Sequence, residues 1–150
     1  MNEQTLAIIK PDAVSRGLIG KILERLEGDG FRVRALKLVH LSKETAREFY
    51  KVHAGRPFYD SLTSYMSSGP VLPILLERDE AIQALRDLMG ATDPQKAVPG
   101  TLRREYGENI ERNAIHGSDA PETASVEIPF FFNRLEIATT DMESGEEGLT

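Results

Sequence analysis

The sequence predicts an α+β domain, a ferredoxin-like βαββαβ sandwich in which helices pack on one face of a four-stranded antiparallel sheet. Two observations lead there. Apolar patterning alternates between strand-like runs and helical stripes, in the order strand, helix, strand, helical insert, strand, helix, long loop, strand, helix. Residues 1 to 138 also contain no repeat, linker or low-complexity tract, so they read as a single domain. A chain of 150 residues buries roughly 70% of its unfolded surface without a disulfide or metal staple.

The elements follow in order. "TLAIIK" (5 to 10) is a short apolar run closed by Pro11-Asp12, as expected of a buried central strand ending in a turn. "GLIGKILERLEGDG" puts Leu18, Ile19, Ile22, Leu23 and Leu26 on one helical stripe that stops at Gly28 and Gly30. Phe31, Val33 and Ala35 alternate with Arg32 and Arg34 in a half-exposed second strand. Ser42 suits the N-cap of a helix carrying Ala46, Phe49 and Tyr50. Phe58, Leu62, Tyr65 and Met66 recur at helical spacing before Ser-Ser-Gly-Pro.

"VLPILLE" (71 to 77) reads as a third strand, and Pro73 within it suggests a sheet edge or a bulge. From Asp79 to Met89 a helix turns Ala81, Ile82, Leu85, Leu88 and Met89 inward and leaves Arg86 on another face. Residues 90 to 112 carry Gly90, Pro94, Pro99, Gly100 and Gly107 with little periodicity, a long irregular segment of the functional kind. Ala114 to His116 suits a brief fourth strand. "DAPETASVEI" then begins a last helix, with Pro121 in its first turn and Ser118-Asp119 as its cap.

Composition narrows the chemistry. Without cysteine, thiolate catalysis, disulfides and Cys-based metal sites are excluded, and a reducing compartment such as the cytoplasm is expected. The N-terminus lacks the basic start and long apolar stretch of a secretory signal, and no run approaches the roughly 20 apolar residues of a membrane span. Net charge is −6, but Glu136, Asp141, Glu143, Glu146 and Glu147 lie at the C-terminal end without a compensating cation, which leaves the body near −1. Residues 139 to 150 therefore read as an acidic, solvated tail.

Three histidines are present. His40, at the end of the second strand, and His53, at a helix end, read as structural. His116 is followed by Gly117, which has no side chain to obstruct approach, and Glu127 lies along the final helix. A carboxylate that holds one imidazole nitrogen as N–H leaves the lone pair of the other available for attack. A satisfied histidine in a tight turn is the plainer alternative. Metal chelation lacks a close His pair, a G-x-S-x-G elbow is absent, and "GLIGKI" lacks the spacing of a phosphate loop. Lys10, Arg86, Thr92, Arg103 and Asn113 are left as polar residues suited to phosphate.

Seven stretches, "LAIIKPDAVSRGLIGKI", "ERLEGDGFRV", "FYKVHAGRPFYDSL", "YMSSGPV", "LMGATDP", "PGTLR" and "RNAIHGSD", stand in an order that resembles the nucleoside diphosphate kinase family over about residues 3 to 138. The resemblance implies ping-pong transfer of the γ-phosphate of a nucleoside triphosphate, mainly ATP, to a nucleoside diphosphate through a phosphohistidine, with broad base specificity. His116 would accept the phosphate, with Glu127 and Ser118 orienting it and Lys10 and Tyr50 beside it in the catalytic set. Lys10, Arg86, Thr92, Arg103 and Asn113 would hold phosphates and ribose, and Phe58, Leu62 and Ile110 the base. Mg²⁺ would be held mainly by the nucleotide's phosphates, with no dedicated protein ligands.

The same resemblance implies a cytoplasmic homo-oligomer built from dimers, tetramer or hexamer. Ala120 departs from the serine common after "HGSD", and Pro129 falls two residues past Glu127, where it removes a helical hydrogen bond. A nucleotide-binding module without turnover is the competing function. Nucleic-acid binding is disfavoured, since the body is not basic and aromatics are few.

Overall fold

The computed structural model describes residues 2–138; the acidic tail expected at 139 to 150 lies outside the described residues. The strands are β1 (Asn2–Ile9), β2 (Arg32–Leu36), β3 (Leu72–Asp79) and β4 (Ile115–Gly117), in the sheet order β2-β3-β1-β4. All pairings are antiparallel, so the expected βαββαβ connectivity holds. The helices are α1 (Pro11–Ser15), α2 (Ile19–Gly28), α3 (Lys43–Phe49), α4 (Tyr59–Met66), α5 (Ala81–Met89), α6 (Leu102–Tyr106) and α7 (Pro121–Phe131), with 3₁₀ turns at Lys51–His53 and Arg134–Glu136.

Contrary to the sequence expectation, helices cover both faces of the sheet. Because side chains alternate across a strand, Ala7 and Ile9 of β1 meet α2 and α5, through Ile22, Leu26, Leu85 and Met89. Leu6 and Ile8 meet the helical insert and α7, through Ala46, Tyr65, Met66 and Phe131. A strand buried on both faces reads as a continuous apolar run, which is why "LAII" shows no alternation.

Pro73 does not mark an edge strand, for β3 is internal, with β1 on one side and β2 on the other. The proline is tolerated because β2 stops at Leu36, opposite Ile74. At Pro73 only its carbonyl is engaged on that side, by the Lys37 N–H at 3.3 Å, so the missing donor falls in the gap between the end of β2 and the isolated Val39–Val71 bridge. The expected irregularity instead sits in β2, as a register shift between Val33 and Ala35.

Ser42 caps α3 as predicted, its hydroxyl accepting the Thr45 N–H at 3.0 Å. The Ser118-Asp119 cap is not made. The N-cap of α7 is Ala120, without a side-chain bond, while Asp119 accepts the Thr123 hydroxyl at 2.6 Å. Residues 90 to 112 are not wholly irregular either. Five of them form α6, capped by Thr101.

Gly117 serves a purpose other than the one its sequence position suggests. A Cβ there would come within 2.8 Å of Leu85 Cδ2 and 2.9 Å of Met89 Cε and Sδ, so the glycine lets α5 lie directly on β4. Gly117→Ala is expected to lower stability by about 1–3 kcal/mol through overpacking, measured by urea denaturation. An unchanged midpoint would show that Met89 yields without cost.

Candidate active site

Three residues of β4 carry His116 into the middle of the molecule. Pairing of Ile8 with His116 turns the imidazole toward α3 and α7, the side on which Ile8 packs. Phe49 and Tyr50 meet the ring edge-on, with centroids 5.5 and 6.0 Å away. The Nε2 atom lies 3.0 Å from Glu127 Oε1, and the same oxygen accepts the Ser118 hydroxyl at 2.7 Å. A carboxylate acceptor places the proton on Nε2 and leaves Nδ1 with a lone pair. The α7 helix runs on through Pro129 to Phe131, and Glu127 still reaches the imidazole.

His116 forms part of the walls of two clefts. One, of about 590 Å³, is also lined by Lys10, Arg86, Thr92, Arg103 and Asn113, with Phe58, Leu62 and Ile110. Every polar and apolar residue assigned to nucleotide from the sequence therefore lies on one surface with the histidine. The other cleft, about 490 Å³, runs along Phe49, Tyr50, Val126 and Glu127. His53, read from the sequence as structural, lies on both, with its ring 5.2 Å from that of Phe58. Nothing in its local pattern distinguishes it, because the signal is purely tertiary.

The cations are held by backbone and amide oxygens instead of carboxylates. Lys10 Nζ donates to Asn113 Oδ1 at 2.8 Å and to the Glu111 carbonyl at 3.3 Å. Arg103 donates to the carbonyls of Gly90 (3.1 Å) and Ile115 (2.9 Å). Gly90 meets this requirement with φ at 84° and a Cβ position already filled by Thr101. The amide of Asn113 donates to the carbonyls of Thr92 and Ile110 at 3.0 and 2.9 Å, which ties the loop to β4.

Burial, and then the charge of Arg103, depress Lys10 to about 8. Burial, and then Arg86, hold Arg103 below its usual value. Burial, and then Glu127, push the Tyr50 phenol up, so it keeps its proton. With Lys10 buried and Arg103 partly so, these cations form a cradle for an anion, and the carboxylates of Asp12 and Glu111 offset the repulsion on Lys10 only in part. Of the four buried side-chain donors without a partner among the described residues, two, Tyr50 Oη and Arg103 Nε, belong to the site residues, and a phosphate supplies acceptors of the kind they lack.

No group of three or more His, Asp or Glu side chains suited to a metal occurs among the described residues. A divalent cation fits this cleft as a companion of phosphate oxygens, since Mg²⁺ accepts one or two protein ligands and fills the rest with phosphate and water.

Comparison with known proteins agrees with this geometry. A family model described as nucleoside diphosphate kinase matches residues 3–137. A relative from Desulfovibrio desulfuricans named nucleoside diphosphate kinase is 58% identical over 138 residues, spanning 92% of this chain and 99% of that protein. One from Persephonella marina is 55% identical, spanning 90% and 96%. Among solved structures, the Aquifex aeolicus nucleoside diphosphate kinase superposes with a TM-score of 0.90 at 45% identity, over 92% of this chain and all of that one. A Halobacterium salinarum nucleoside diphosphate kinase, solved in complex with CDP, gives 0.89 at 42%, over 93% of each chain.

Proposed function

The chain belongs to the nucleoside diphosphate kinase family, and from that membership we propose that His116 carries the phosphate between a nucleoside triphosphate and a nucleoside diphosphate in the 590 Å³ cleft. The observation that carries the reading is the single carboxylate oxygen of Glu127 engaging both His116 Nε2 and Ser118. It supports Nδ1 as the nucleophilic nitrogen and suits the imidazolium character that develops on the ring.

In the first half-reaction the Nδ1 lone pair forms a bond to the γ-phosphorus as the bond to the β,γ-bridging oxygen breaks, and ADP leaves with that electron pair. In the second, a terminal β-phosphate oxygen of the acceptor diphosphate attacks the same phosphorus and the N–P bond breaks. A loose phosphoryl transition state asks for positioning and charge neutralisation, which Lys10, Arg86 and Arg103 provide, with Thr92 and Asn113 placing phosphate and ribose. Tyr50 stands against the imidazole as a protonated donor. Mg²⁺, where bound to the nucleotide phosphates, adds further neutralisation of their oxygens.

Phe58 and Ile110 are 42% and 61% exposed at the cleft, and with Leu62 they offer the base apolar surface. Discrimination between bases needs hydrogen bonds to their edges, so transfer to GDP, CDP and UDP at comparable rates is expected. A binding module without turnover would give nucleotide-dependent thermal stabilisation but no formation of GTP from ATP and GDP. That exchange assay separates the two.

Lys10 supplies a second test. Its depressed value of about 8 means that it loses charge as pH rises through that value, whereas incoming phosphates raise it. At about pH 8.5, ADP binding is therefore expected to take up a fraction of a proton, visible by calorimetry in buffers of different ionisation enthalpy. Identical heats in all buffers would contradict the assignment.

No helix among the described residues is long and apolar enough to cross a membrane. A cytoplasmic location is proposed on the separate ground that a cysteine-free composition suits a reducing compartment. Homo-oligomers built from dimers are proposed for the assembly. Supporting this, β2 is an edge strand, and Leu36 at its end and Leu38 just beyond it are exposed. Light scattering of the purified protein distinguishes monomer, tetramer and hexamer. The segment 1–138 is taken as the catalytic domain.

A further inference from the structure

Asp12 is a carboxylate that the chemistry above does not use, and it is 4% exposed. Its Oδ2 accepts the Ala114 N–H at 3.1 Å and its Oδ1 accepts the Tyr65 hydroxyl. The Asp12 N–H donates to the same phenol oxygen at 2.8 Å, and Arg16 lies 3.5 Å from Oδ2. So elaborate a mooring for one carboxylate implies that the group it holds, the Ala114 amide, matters.

Ala114 has φ at 77°, a left-handed conformation that a Cβ disfavours. The Ile115 N–H donates to the Asn113 carbonyl at 2.9 Å, so Ala114 is the centre of a tight three-residue turn of the rare positive-φ kind. Both of its own polar groups are clamped by one short segment. Asp12 takes its N–H, and the Lys10 N–H donates to its carbonyl at 2.8 Å. On one side of this turn is Asn113, which holds Lys10 Nζ. On the other, two residues on, is His116. Relaxation of Ala114 to negative φ would swing these two flanks relative to one another.

We propose that Asp12 is a positioning residue for phosphoryl transfer, its carboxylate locking Ala114 in the strained turn and so fixing His116 relative to Lys10 and Asn113. The inference rests on His116 being the phosphate acceptor. Asp12 acts as a hydrogen-bond acceptor at a distance from the nucleotide, and the turn is the element through which it acts.

The test is single-turnover phosphorylation of His116 at saturating ATP, with ADP affinity measured alongside and both referred to folded protein. Asp12→Ala is expected to slow phosphorylation ~100-fold, the cost of misplacing a reacting group by about 1 Å, with ADP affinity changed by less than about threefold. Asp12→Asn keeps an oxygen for the Ala114 N–H and is expected within about tenfold of wild type. In Asp12→Ala/Ala114→Gly, the glycine adopts positive φ without a Cβ penalty, and most of the lost rate, to within about tenfold of wild type, is expected to return.

Wild-type phosphorylation by Asp12→Ala would overturn the proposal. So would Asp12→Asn as slow as Asp12→Ala, or a folded double variant that recovers nothing. Where Asp12→Ala does not fold, the double variant and Asp12→Asn decide by the same thresholds against wild type. Failure of the underlying reading looks different, for then the wild type itself carries label on a residue other than His116 or none at all.

Discussion

Replacing His116 by asparagine is expected to lower phosphate transfer from ATP to GDP ~10⁴-fold or more, the scale on which loss of a covalent nucleophile is felt. Asparagine retains an amide N–H of the kind that Glu127 accepts from Nε2, so the variant should fold and bind ADP nearly as the wild type does. The loss is that large because the histidine carries the phosphate between two nucleotides that use the cleft in turn. Direct transfer needs donor and acceptor together, while the cleft lined by Lys10, Arg86 and Arg103 is about 590 Å³, within the usual range for one ligand of nucleotide size. Coupled spectrophotometric turnover and ADP titration on the same preparation provide the check. Residual activity above one part in a thousand would mean that the histidine assists the transfer without carrying the phosphate.

Lys10→Met is the second large effect. The substitution keeps an unbranched apolar stem and removes the ammonium group, so the phosphate cradle loses a buried cation. Removing one preorganised donor to developing charge costs ~10²–10³ in kcat, and that range is expected here with a smaller change in KM. Asn113 Oδ1 and the Glu111 carbonyl also lose their donor, which lowers stability by about 1–3 kcal/mol. Rates must therefore be referred to folded protein. The proton uptake on ADP binding should disappear in this variant. A kcat within threefold of wild type would assign the neutralisation to Arg86 and Arg103.

Much of this site is legible in the sequence because its residues sit where local pattern has a gap. Lys10 closes an apolar strand, Arg86 interrupts an inward-facing stripe, and His116 follows two buried apolar residues. The structure gathers these onto one surface with Arg103, Thr92 and Asn113. The strands and longer helices are legible for the same reason, as their periods repeat often enough to count.

What pattern reading misses has physical causes. The helices α1 and α6 have five residues each, little more than one turn, so no periodicity develops. That helices cover both sheet faces was in principle readable from "LAII", whose lack of alternation is the mark of a doubly buried strand. Ser118 looks like a cap because hydroxyls at such positions usually are, yet it is fully buried and turned to Glu127. Asp12 and His53 owe their places to contacts more than 50 residues away or to cleft walls, for which a single sequence offers no local signal. The nearest hint for Asp12 is a charge directly after a buried strand and a proline.

Incubation of the wild type with γ-phosphate-labelled ATP, followed by peptide mapping under alkaline conditions and a chase with GDP, tests the central assignment most directly. Acid-labile, base-stable label on the peptide that contains His116, discharged to GTP on the chase, is the predicted result. Label absent, located elsewhere, or retained when GDP is added would contradict it.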